Sequence, residues 1–558
     1  MTPTLARAGA GLLLALAGTS VSTQAWAQPK LGICAELATQ FKHPSTRITS
    51  AQPVATGALS NAGAPIGAHC VVLGQMNERV SPVDGQSYAI GFEVRLPEAW
   101  NGRLFYQANG GTDGIVARAD GGFVGGGPLR NALQKGFAVI STNGGHTAAQ
   151  NPLFGLDPQA RIDYGYAAPR AAAPMAKALV QAAYGQAPAR SYIGGTSNGG
   201  RLAMVSASRH ADLFDGFLAI APALRMPASS VGGLLGAQLW HAIAPDKTKL
   251  ESAFPPPARA VLARAILARC DALDGAADGI VEDQAGCRNA FDLARDVATC
   301  TPALAEECLT AAQKEVLVKV HAGPKNRAGQ PIYTTYPYDP GVTSPIWADW
   351  KFVLSINPTR NPVSVGFIFS TPPQDKSMLQ DTQRFALGFD IDTDAPKIFA
   401  TNSTFTESAM SFMAPPDLPR FGALKARGGK MLVIHGTSDP IFSVDDTTAW
   451  YDELSRNQGG STGDFVRLFR VPGMSHSRGG PSTDHFDAID ALVAWVENGV
   501  APQRITAMAR GPGHAGGVNA EVPASWSATR TRPLCPYPTL ARYVGGDIER
   551  AESFACRP

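Results

Sequence analysis

The sequence predicts an α/β fold, with a mostly parallel sheet, helices on its faces and one large insertion. Three observations lead to this prediction. Strand and helix patterns alternate up to residue 220, the alternation resumes at residue 430, and the residues between them lack it. The 558 residues are 44% hydrophobic and 17% charged with net charge +2, which excludes disordered and collagen-like chains and argues against nucleic acid as a partner.

The first residues have the pattern of a secretory signal peptide. Arg7 precedes a short apolar run over 8–21, and Ala25-Trp26-Ala27 forms a cleavage site before Gln28. The run is too short to span a bilayer, and no later segment has a transmembrane pattern. We therefore expect a periplasmic or secreted protein without a membrane span.

Two strands are predicted near the start of the mature chain. Residues 87–97 alternate apolar with small or polar side chains, and 103–108 follow after the turn Trp100-Asn101-Gly102. The short connection predicts a hairpin between them. A third strand is predicted over 137–141, and the alanine-rich stretch 167–184 favours a helix.

Strand and helix patterns then continue along the chain. Strands are predicted over 190–194, 216–220, 430–435 and 465–471, and helices over 199–209 and 486–498. The stretch between 220 and 430 is rich in proline and aromatic residues, among them Trp240, Trp347, Trp350, Phe352, Phe367 and Phe369. We interpret it as an inserted domain over the carboxyl edge of the sheet, where open α/β folds bind ligands. A separate downstream domain is the alternative, which the return of alternation disfavours.

A nucleophile is predicted at Ser197. Residues 195–199 read Gly-Thr-Ser-Asn-Gly, which matches G-x-S-x-G between a predicted strand and a predicted helix. This context favours a strained turn that presents the serine hydroxyl. A second match around Ser461 has no strand before it and no helix after it, so we interpret it as an exposed linker.

The acid and the base are expected after the serine in chain order. Asp439 and His476 each follow one of the last two predicted strands, so both lie where loops converge on the nucleophile. Asp445 and Asp446 compete with Asp439, but the start of a solvated helix explains them.

Other histidines have simpler explanations. His435 ends a strand and is expected to form a hydrogen bond in the core, and His485 is expected to begin the final helix. His146 follows the third strand; it is a candidate for lining the cleft, although exposure is the commoner outcome for a loop histidine.

Two backbone N–H groups are needed to stabilise an oxyanion. One is expected from Asn198, directly after the nucleophile, and the other from Gly110 or Gly111 in the loop after the second strand. A plain turn is the alternative for these glycines.

A carboxylate-rich loop lies between Cys270 and Cys287. It contains Asp271, Asp274 and Asp278, interleaved with two glycines. Calcium prefers such oxygen ligands, so this is a candidate cation site, although a pair of Asp-Gly turns also explains the pattern.

The eight cysteines are an even number in a chain predicted to be exported, so we expect disulfides. Spacing alone leaves the connectivity open. Pairing of sequence neighbours suggests the bridges Cys34–Cys70, Cys270–Cys287, Cys300–Cys308 and Cys535–Cys556.

Together these motifs resemble the tannase and feruloyl esterase family, which includes mono(2-hydroxyethyl) terephthalate hydrolase. The resemblance is carried by the sequences at 195–201, 435–439, 473–476 and 270–281 and by the cysteine spacings. It implies an α/β-hydrolase core with a large lid that binds a structural calcium, and hydrolysis of aromatic acid esters. The implied organisation is a signal peptide over 1–27, core over 28–222, lid over 223–417 and core over 418–558.

The resemblance also implies roles for residues. Ser197 would be the nucleophile, Asp439 the orienting acid and His476 the base, and it supports the four bridges. The implied calcium ligands are Asp271, Asp274, Asp278 and the carbonyls of Ala276 and Ile280. One departure stands out: the family usually has cysteines at the positions of Thr196 and Ser477, joined as a disulfide between nucleophile and base.

The sequence therefore predicts a serine esterase that forms an acyl-enzyme. Lid aromatics are expected to stack on an aromatic acyl group, with ordinary core packing as the alternative for each one. Ferulate, gallate and terephthalate half-esters remain open as substrates. An alternative function is an exported calcium-dependent binding protein with an inactive hydrolase core.

Overall fold

A nine-stranded sheet forms the centre of the protein. The computed structural model describes residues 1–2, 30–123 and 129–558, so nearly all of the predicted signal peptide over 1–27 lies outside the described residues. The strands, in chain order, are β1 (Thr46–Val54), β2 (His69–Val80), β3 (Ser87–Pro97), β4 (Arg103–Ala108), β5 (Ala138–Thr142), β6 (Arg190–Thr196), β7 (Gly216–Ile220), β8 (Lys430–Gly436) and β9 (Val466–Val471).

The sheet is mostly parallel, as predicted. Its order is β1-β2-β3-β5-β4-β6-β7-β8-β9, in which β1, β2, β3 and β5 pair antiparallel and all pairs from β5 to β9 are parallel.

The predicted hairpin between β3 and β4 is wrong, because β5 lies between them. The turn that follows β3 is anchored to the start of β5: the Asn101 N–H donates to the Gly136 carbonyl, and the Trp100 indole is buried. All five residues of β5 are buried, so this strand takes the interior position with a neighbour on each edge.

Helices cover both faces of the sheet. The longer α-helices are α1 (Ala168–Tyr184), α2 (Asn198–Arg209), α3 (Met226–Ile243), α4 (Pro256–Cys270), α5 (Ala311–His321), α6 (Val444–Asn457) and α7 (Ala488–Asn498). Along β4, Leu104 and Tyr106 pack in the same core cluster as α1, whereas Phe105 packs with α7. This alternation follows from the two-residue period of a strand.

Shorter elements complete the chain. The short helices are Leu37–Gln40, Pro158–Ile162, Gln284–Ala290, Leu293–Asp296, Pro345–Ala348, Asn361–Val363, Thr382–Gly388, Ala409–Met413 and Gly422–Arg427. The short strands are Ser60–Asn61, Ala64–Pro65, His485–Phe486, Ile505–Met508, Thr531–Leu534, Leu540–Tyr543 and Phe554–Arg557.

The segment between β7 and β8 is helical and has its own core. Trp240, Trp347 and Phe352 are buried there, as ordinary core packing predicts. A further cluster joins Phe369 of this insertion to Phe442, which follows β8. The insertion therefore packs on loops at the carboxyl edge of the sheet.

All eight cysteines are paired. The bridges are Cys34–Cys70, Cys270–Cys287, Cys300–Cys308 and Cys535–Cys556, which confirms the suggested connectivity. Within the described ranges, no helix has both the length and the apolar character that a membrane crossing requires.

Candidate active site

Ser197 lies on a strained turn between β6 and α2. Its φ of 63° and ψ of −122° are unfavourable for a residue with a side chain. The turn also demands glycine on either side, since a Cβ on Gly195 or Gly199 would collide with the Ala108 carbonyl. The flanking glycines therefore allow the close backbone approach that presents the Ser197 hydroxyl to the cleft.

The three predicted side chains meet in one hydrogen-bonded chain. His476 Nε2 lies 3.0 Å from Ser197 Oγ, and His476 Nδ1 lies 2.7 Å from Asp439 Oδ2. Because an ionised carboxylate only accepts hydrogen bonds, Nδ1 donates to it and Nε2 is left to accept the serine proton. Residues far apart in sequence thus form the geometry of an activated nucleophile.

The Asp439 carboxylate is buried, and both of its oxygens accept hydrogen bonds. Oδ1 accepts from the N–H groups of Ile441 and Phe442, both at 3.0 Å. Burial alone would raise its pKa, but the imidazoles of His476 and His435 hold the pKa of Asp439 well below its usual range. His435 is buried in the core, 2.8 Å from Thr447 Oγ1 as expected of a core histidine, and it also lies 3.4 Å from Asp439.

The competing candidates lie elsewhere. Asp446 pairs with Arg225 and Asp445 with Arg288, both in the first turn of α6. The Ser461 hydroxyl donates to the Gln458 carbonyl and is half-buried rather than exposed.

Two histidine predictions are wrong. His146 is fully buried, not exposed: its Nε2 lies 2.9 Å from the Thr112 carbonyl and its ring stacks on Phe154. Burial lowers the pKa of His146 to about 4. His485 lies in a short strand before α7 rather than at the start of the helix, because it pairs with Met508.

The two loops predicted to bind an oxyanion face Ser197. Gly110 lies so close that a Cβ there would be 3.8 Å from the Ser197 Cβ. The Gly111 carbonyl accepts from the Tyr164 hydroxyl at 3.0 Å, which fixes the loop. Within the described ranges, the N–H groups of Gly110 and Gly111 have no hydrogen-bond acceptor, so both are available to a substrate oxygen.

Arg201, which was not among the residues predicted from the sequence, supports this arrangement. It is completely buried, and its Nε donates to Asn198 Oδ1 at 2.8 Å. The Asn198 amide in turn donates to the Asn109 carbonyl at 3.3 Å. The sequence signal for Arg201 was its place at the end of the family-like segment 195–201, which reads G-T-S-N-G-G-R.

A cleft of about 560 Å³ opens above Ser197. Trp350 and Phe123 line it, and the Trp350 ring centroid lies 5.5 Å from that of His476. Of the insertion aromatics singled out in the sequence, Trp350 therefore reaches the cleft beside Ser197. A larger cavity of about 760 Å³ lies in the insertion and includes none of the three predicted catalytic residues.

Arg360 brings a positive charge into the same cleft. The only hydrogen bond that its side chain makes to the described residues goes to the neighbouring Thr359 carbonyl, and its guanidinium forms no ion pair with them. A cation without an acidic partner beside Ser197 is suited to an anionic group on a substrate. The sequence contained no motif that pointed to Arg360.

Thr196 and Ser477 both line the cleft, beside Ser197 and His476. The positions that usually hold a cysteine pair therefore face the same space. Here they contribute two hydroxyl groups and no covalent bond.

The carboxylate loop folds through Asp-to-backbone hydrogen bonds. Asp271 accepts from the Gly279 N–H at 2.9 Å, Asp274 from Ala276 at 2.9 Å and Asp278 from Ile280 at 3.0 Å. These bonds are what the Asp-Gly turn alternative predicts. In the part of the chain that the structure describes, no three acidic, histidine or cysteine side chains converge on one point.

The loop nevertheless has the chemistry of a cation site. Asp274 Oδ2 and Glu282 Oε1 are buried without a hydrogen-bond partner among the described residues. Burial and neighbouring carboxylates raise the pKa of Asp274 to about 7 and that of Glu282 to about 8. These oxygen donors, with their excess negative charge, are of the type that binds calcium.

Comparisons with known proteins identify relatives of the chain. The family described as tannase and feruloyl esterase matches residues 70–557. The chain is 39% identical over 528 residues to the mono(2-hydroxyethyl) terephthalate hydrolase of Piscinibacter sakaiensis, covering 88% of this chain and 84% of that one. It is 30% identical over 484 residues to a probable feruloyl esterase of Arthroderma benhamiae, covering 83% and 81%.

A solved structure shares the fold. The crystal structure of feruloyl esterase B from Aspergillus oryzae aligns with a TM-score of 0.74 at 23% identity, over 94% of this chain and 99% of that one.

Proposed function

Because the chain belongs to the tannase and feruloyl esterase family and is a carboxylic ester hydrolase, we propose that it hydrolyses aromatic esters through an acyl-enzyme on Ser197. The observation that carries the proposal is the unbroken chain from Ser197 through His476 to Asp439, at 3.0 and 2.7 Å. It faces a cleft large enough for an aromatic ester.

The first half-reaction releases the alcohol. His476 Nε2 accepts the hydroxyl proton while Ser197 Oγ attacks the ester carbonyl carbon. Negative charge moves to the carbonyl oxygen, where the N–H of Asn198 and that of Gly110 or Gly111 stabilise it. The intermediate collapses, the C–O bond to the alcohol breaks, and the His476 imidazolium protonates the departing oxygen.

The second half-reaction releases the acid. His476 takes a proton from water, the resulting hydroxide attacks the acyl carbon, and the bond to Ser197 Oγ breaks as the serine is reprotonated. Throughout, Asp439 keeps the Nδ1 proton in place and stabilises the imidazolium. Its depressed pKa keeps it ionised in this role.

The cleft favours an acyl group that carries a ring and a negative charge. Trp350 and Phe123 provide apolar faces for the ring, and Arg360 provides a cation for a distal carboxylate. Among the three candidate acids, a terephthalate half-ester has both features in one acyl group, so we propose it as the preferred class.

Two further features belong to the proposal. Asp271, Asp274, Asp278 and the carbonyls of Ala276 and Ile280 would hold a structural calcium, which supplies stability rather than a reacting group. The signal-peptide pattern and the four disulfides support export to the periplasm or the medium.

Hydrolysis of a short-chain nitrophenyl ester tests the mechanism. Wild type should show a burst of nitrophenol followed by steady turnover, and Ser197→Ala should abolish both. An unchanged rate in Ser197→Ala would refute the mechanism and favour an inactive hydrolase core that serves as a binding protein.

Paired substrates test the preferred class. A panel of ferulate, gallate and terephthalate half-esters gives the ranking. The structure predicts that Arg360→Gln lowers kcat/KM for a terephthalate half-ester by about 30-fold, in line with the loss of a charged hydrogen bond, and leaves the uncharged diester within about threefold. Equal losses on both substrates would contradict a carboxylate-binding role for Arg360.

A further inference from the structure

A buried carboxylate of the insertion lies against the loop that carries the proposed acid. Asp339 is 3% exposed, and both of its oxygens are engaged. Oδ1 accepts from the Gly341 N–H at 2.9 Å and from the Ser438 hydroxyl. Oδ2 accepts from the Thr437 hydroxyl at 2.6 Å and from Gln284 Nε2 at 2.9 Å. All four donors are neutral, and the described residues supply no ion-pair partner.

The Thr437 hydroxyl extends this contact to the loop that carries the base. While donating to Asp339, it accepts from the Gly473 N–H at 2.8 Å. Thr437 lies two residues before Asp439, and Gly473 lies three residues before His476. A continuous chain from carboxylate to hydroxyl to amide therefore joins the acid loop and the base loop.

Packing reinforces the same junction. A Cβ on Gly341 would collide with Ser438 Oγ and would lie 2.7 Å from the Gly473 carbonyl oxygen. The turn after Asp339 thus contacts both catalytic loops at once, and only glycine fits there.

We propose that Asp339 is a positioning residue for the reaction. This inference rests on the proposed function. Through Thr437 and Ser438, Asp339 fixes the acid loop relative to the base loop and so maintains the 2.7 Å contact between Asp439 and His476. Because small misplacements of catalytic groups lower rates by up to about a hundredfold, loosening this junction should lower kcat. KM should change little, since Asp339 does not line the cleft.

The sharpest test removes and restores one hydroxyl. Thr437→Val keeps the shape of the side chain but leaves the Gly473 N–H without its acceptor and takes from Asp339 Oδ2 one of its two donors, the other being Gln284 Nε2. We expect kcat to fall about tenfold, with KM within twofold of wild type, whereas Thr437→Ser should stay within twofold in both constants. Thr343→Val is the matched control, because it removes a hydroxyl of the same turn that bonds only to the Pro340 carbonyl. It should leave both constants unchanged.

Asp339→Asn is the complementary variant. An amide offers one acceptor oxygen where the two hydroxyls need two, so kcat should fall at least tenfold. Circular dichroism and thermal unfolding establish that each variant is folded at the assay temperature. If Asp339→Asn does not fold, the Thr437 pair decides the question.

The outcomes separate this inference from the proposed function. Equal kcat values for Thr437→Val and Thr437→Ser, or a change confined to KM, would overturn the positioning role. An active Ser197→Ala variant would overturn the proposed mechanism itself. Loss of activity in Ser197→Ala together with an unimpaired Thr437→Val would leave the mechanism standing and remove only Asp339 from it.

Discussion

Replacing Asp439 by asparagine should trap His476 in the wrong tautomer. The amide NH₂ must take the place of one carboxylate oxygen. At Oδ1 it would face two N–H donors, those of Ile441 and Phe442, whereas at Oδ2 it faces mainly one nitrogen of His476. The second arrangement costs less, because the imidazole can move its proton. His476 Nδ1 then accepts from the amide, and Nε2 carries the proton.

In that tautomer Nε2 cannot take the proton of Ser197. We therefore expect kcat to fall by about 10⁴-fold, or about 5.5 kcal/mol in the barrier, in a folded protein. The assay is the nitrophenyl ester burst at several pH values, since a lost general base lowers the acylation rate itself. Thermal unfolding should show a native-like transition.

Asp445→Asn is the control for this prediction. Asp445 lies near the same loop but pairs with Arg288 and makes no contact with His476. Its substitution should leave kcat within about twofold of wild type. More than a tenth of the wild-type rate in Asp439→Asn, or an equal loss in Asp445→Asn, would rule out the trapped tautomer.

Three further predictions concern stability. A calcium chelator should lower the unfolding midpoint while kcat at a temperature well below it stays within about twofold, because the Asp274 loop supplies no group to the cleft; a fall in kcat at an unchanged midpoint would contradict this. Burial lowers the pKa of His146 and of His321 to about 4, below the ordinary 6.5, so the unfolded chain binds more protons between these values. The free energy of unfolding should therefore fall by about 3 kcal/mol per histidine from pH 7 to pH 4, and His321→Gln should flatten this fall in urea titrations. Replacing Cys34 and Cys70 together by serine should lower the free energy of unfolding by about 4 kcal/mol in the same titrations, because the two cysteines are 36 residues apart and their bridge restricts the unfolded chain. A loss below about 1 kcal/mol would contradict this entropic origin.

Sequence patterns predicted the strands, helices and turns that depend on neighbouring residues. The strand before Ser197, the helix after it and the strands that end near Asp439 and His476 follow from periodicity and glycine placement, so the three side chains were predictable. The order of β3, β5 and β4 was not predictable in this way. A short connection between β3 and β4 indicates a turn, but it does not show that β5, which comes later in the chain, lies between them.

Residues whose contacts are with residues distant in sequence were also not predicted. His146 has the sequence context of an exposed loop, yet the fold places Phe154 on its ring. Asp339 is separated by 98 residues from Thr437, and no motif links the two. Arg360 lies in an irregular part of the insertion, where sequence periodicity carries no information about which cavity a side chain enters.

The junction at Asp339 bears on the missing disulfide. A covalent bond between positions 196 and 477 would hold the base to the nucleophile whether or not the insertion were in place. In this chain those positions are Thr196 and Ser477. The backbone N–H groups of Thr437 and Ser438 already bond to the loop of His476, and Asp339 of the insertion adds a carboxylate to that junction. The insertion would then do more than cover the cleft. The geometry of Asp439 and His476 would depend on the packing of the insertion against the loops at the carboxyl edge of the sheet. Local opening of the insertion, which needs less free energy than global unfolding, would disorder that pair while the sheet remains intact.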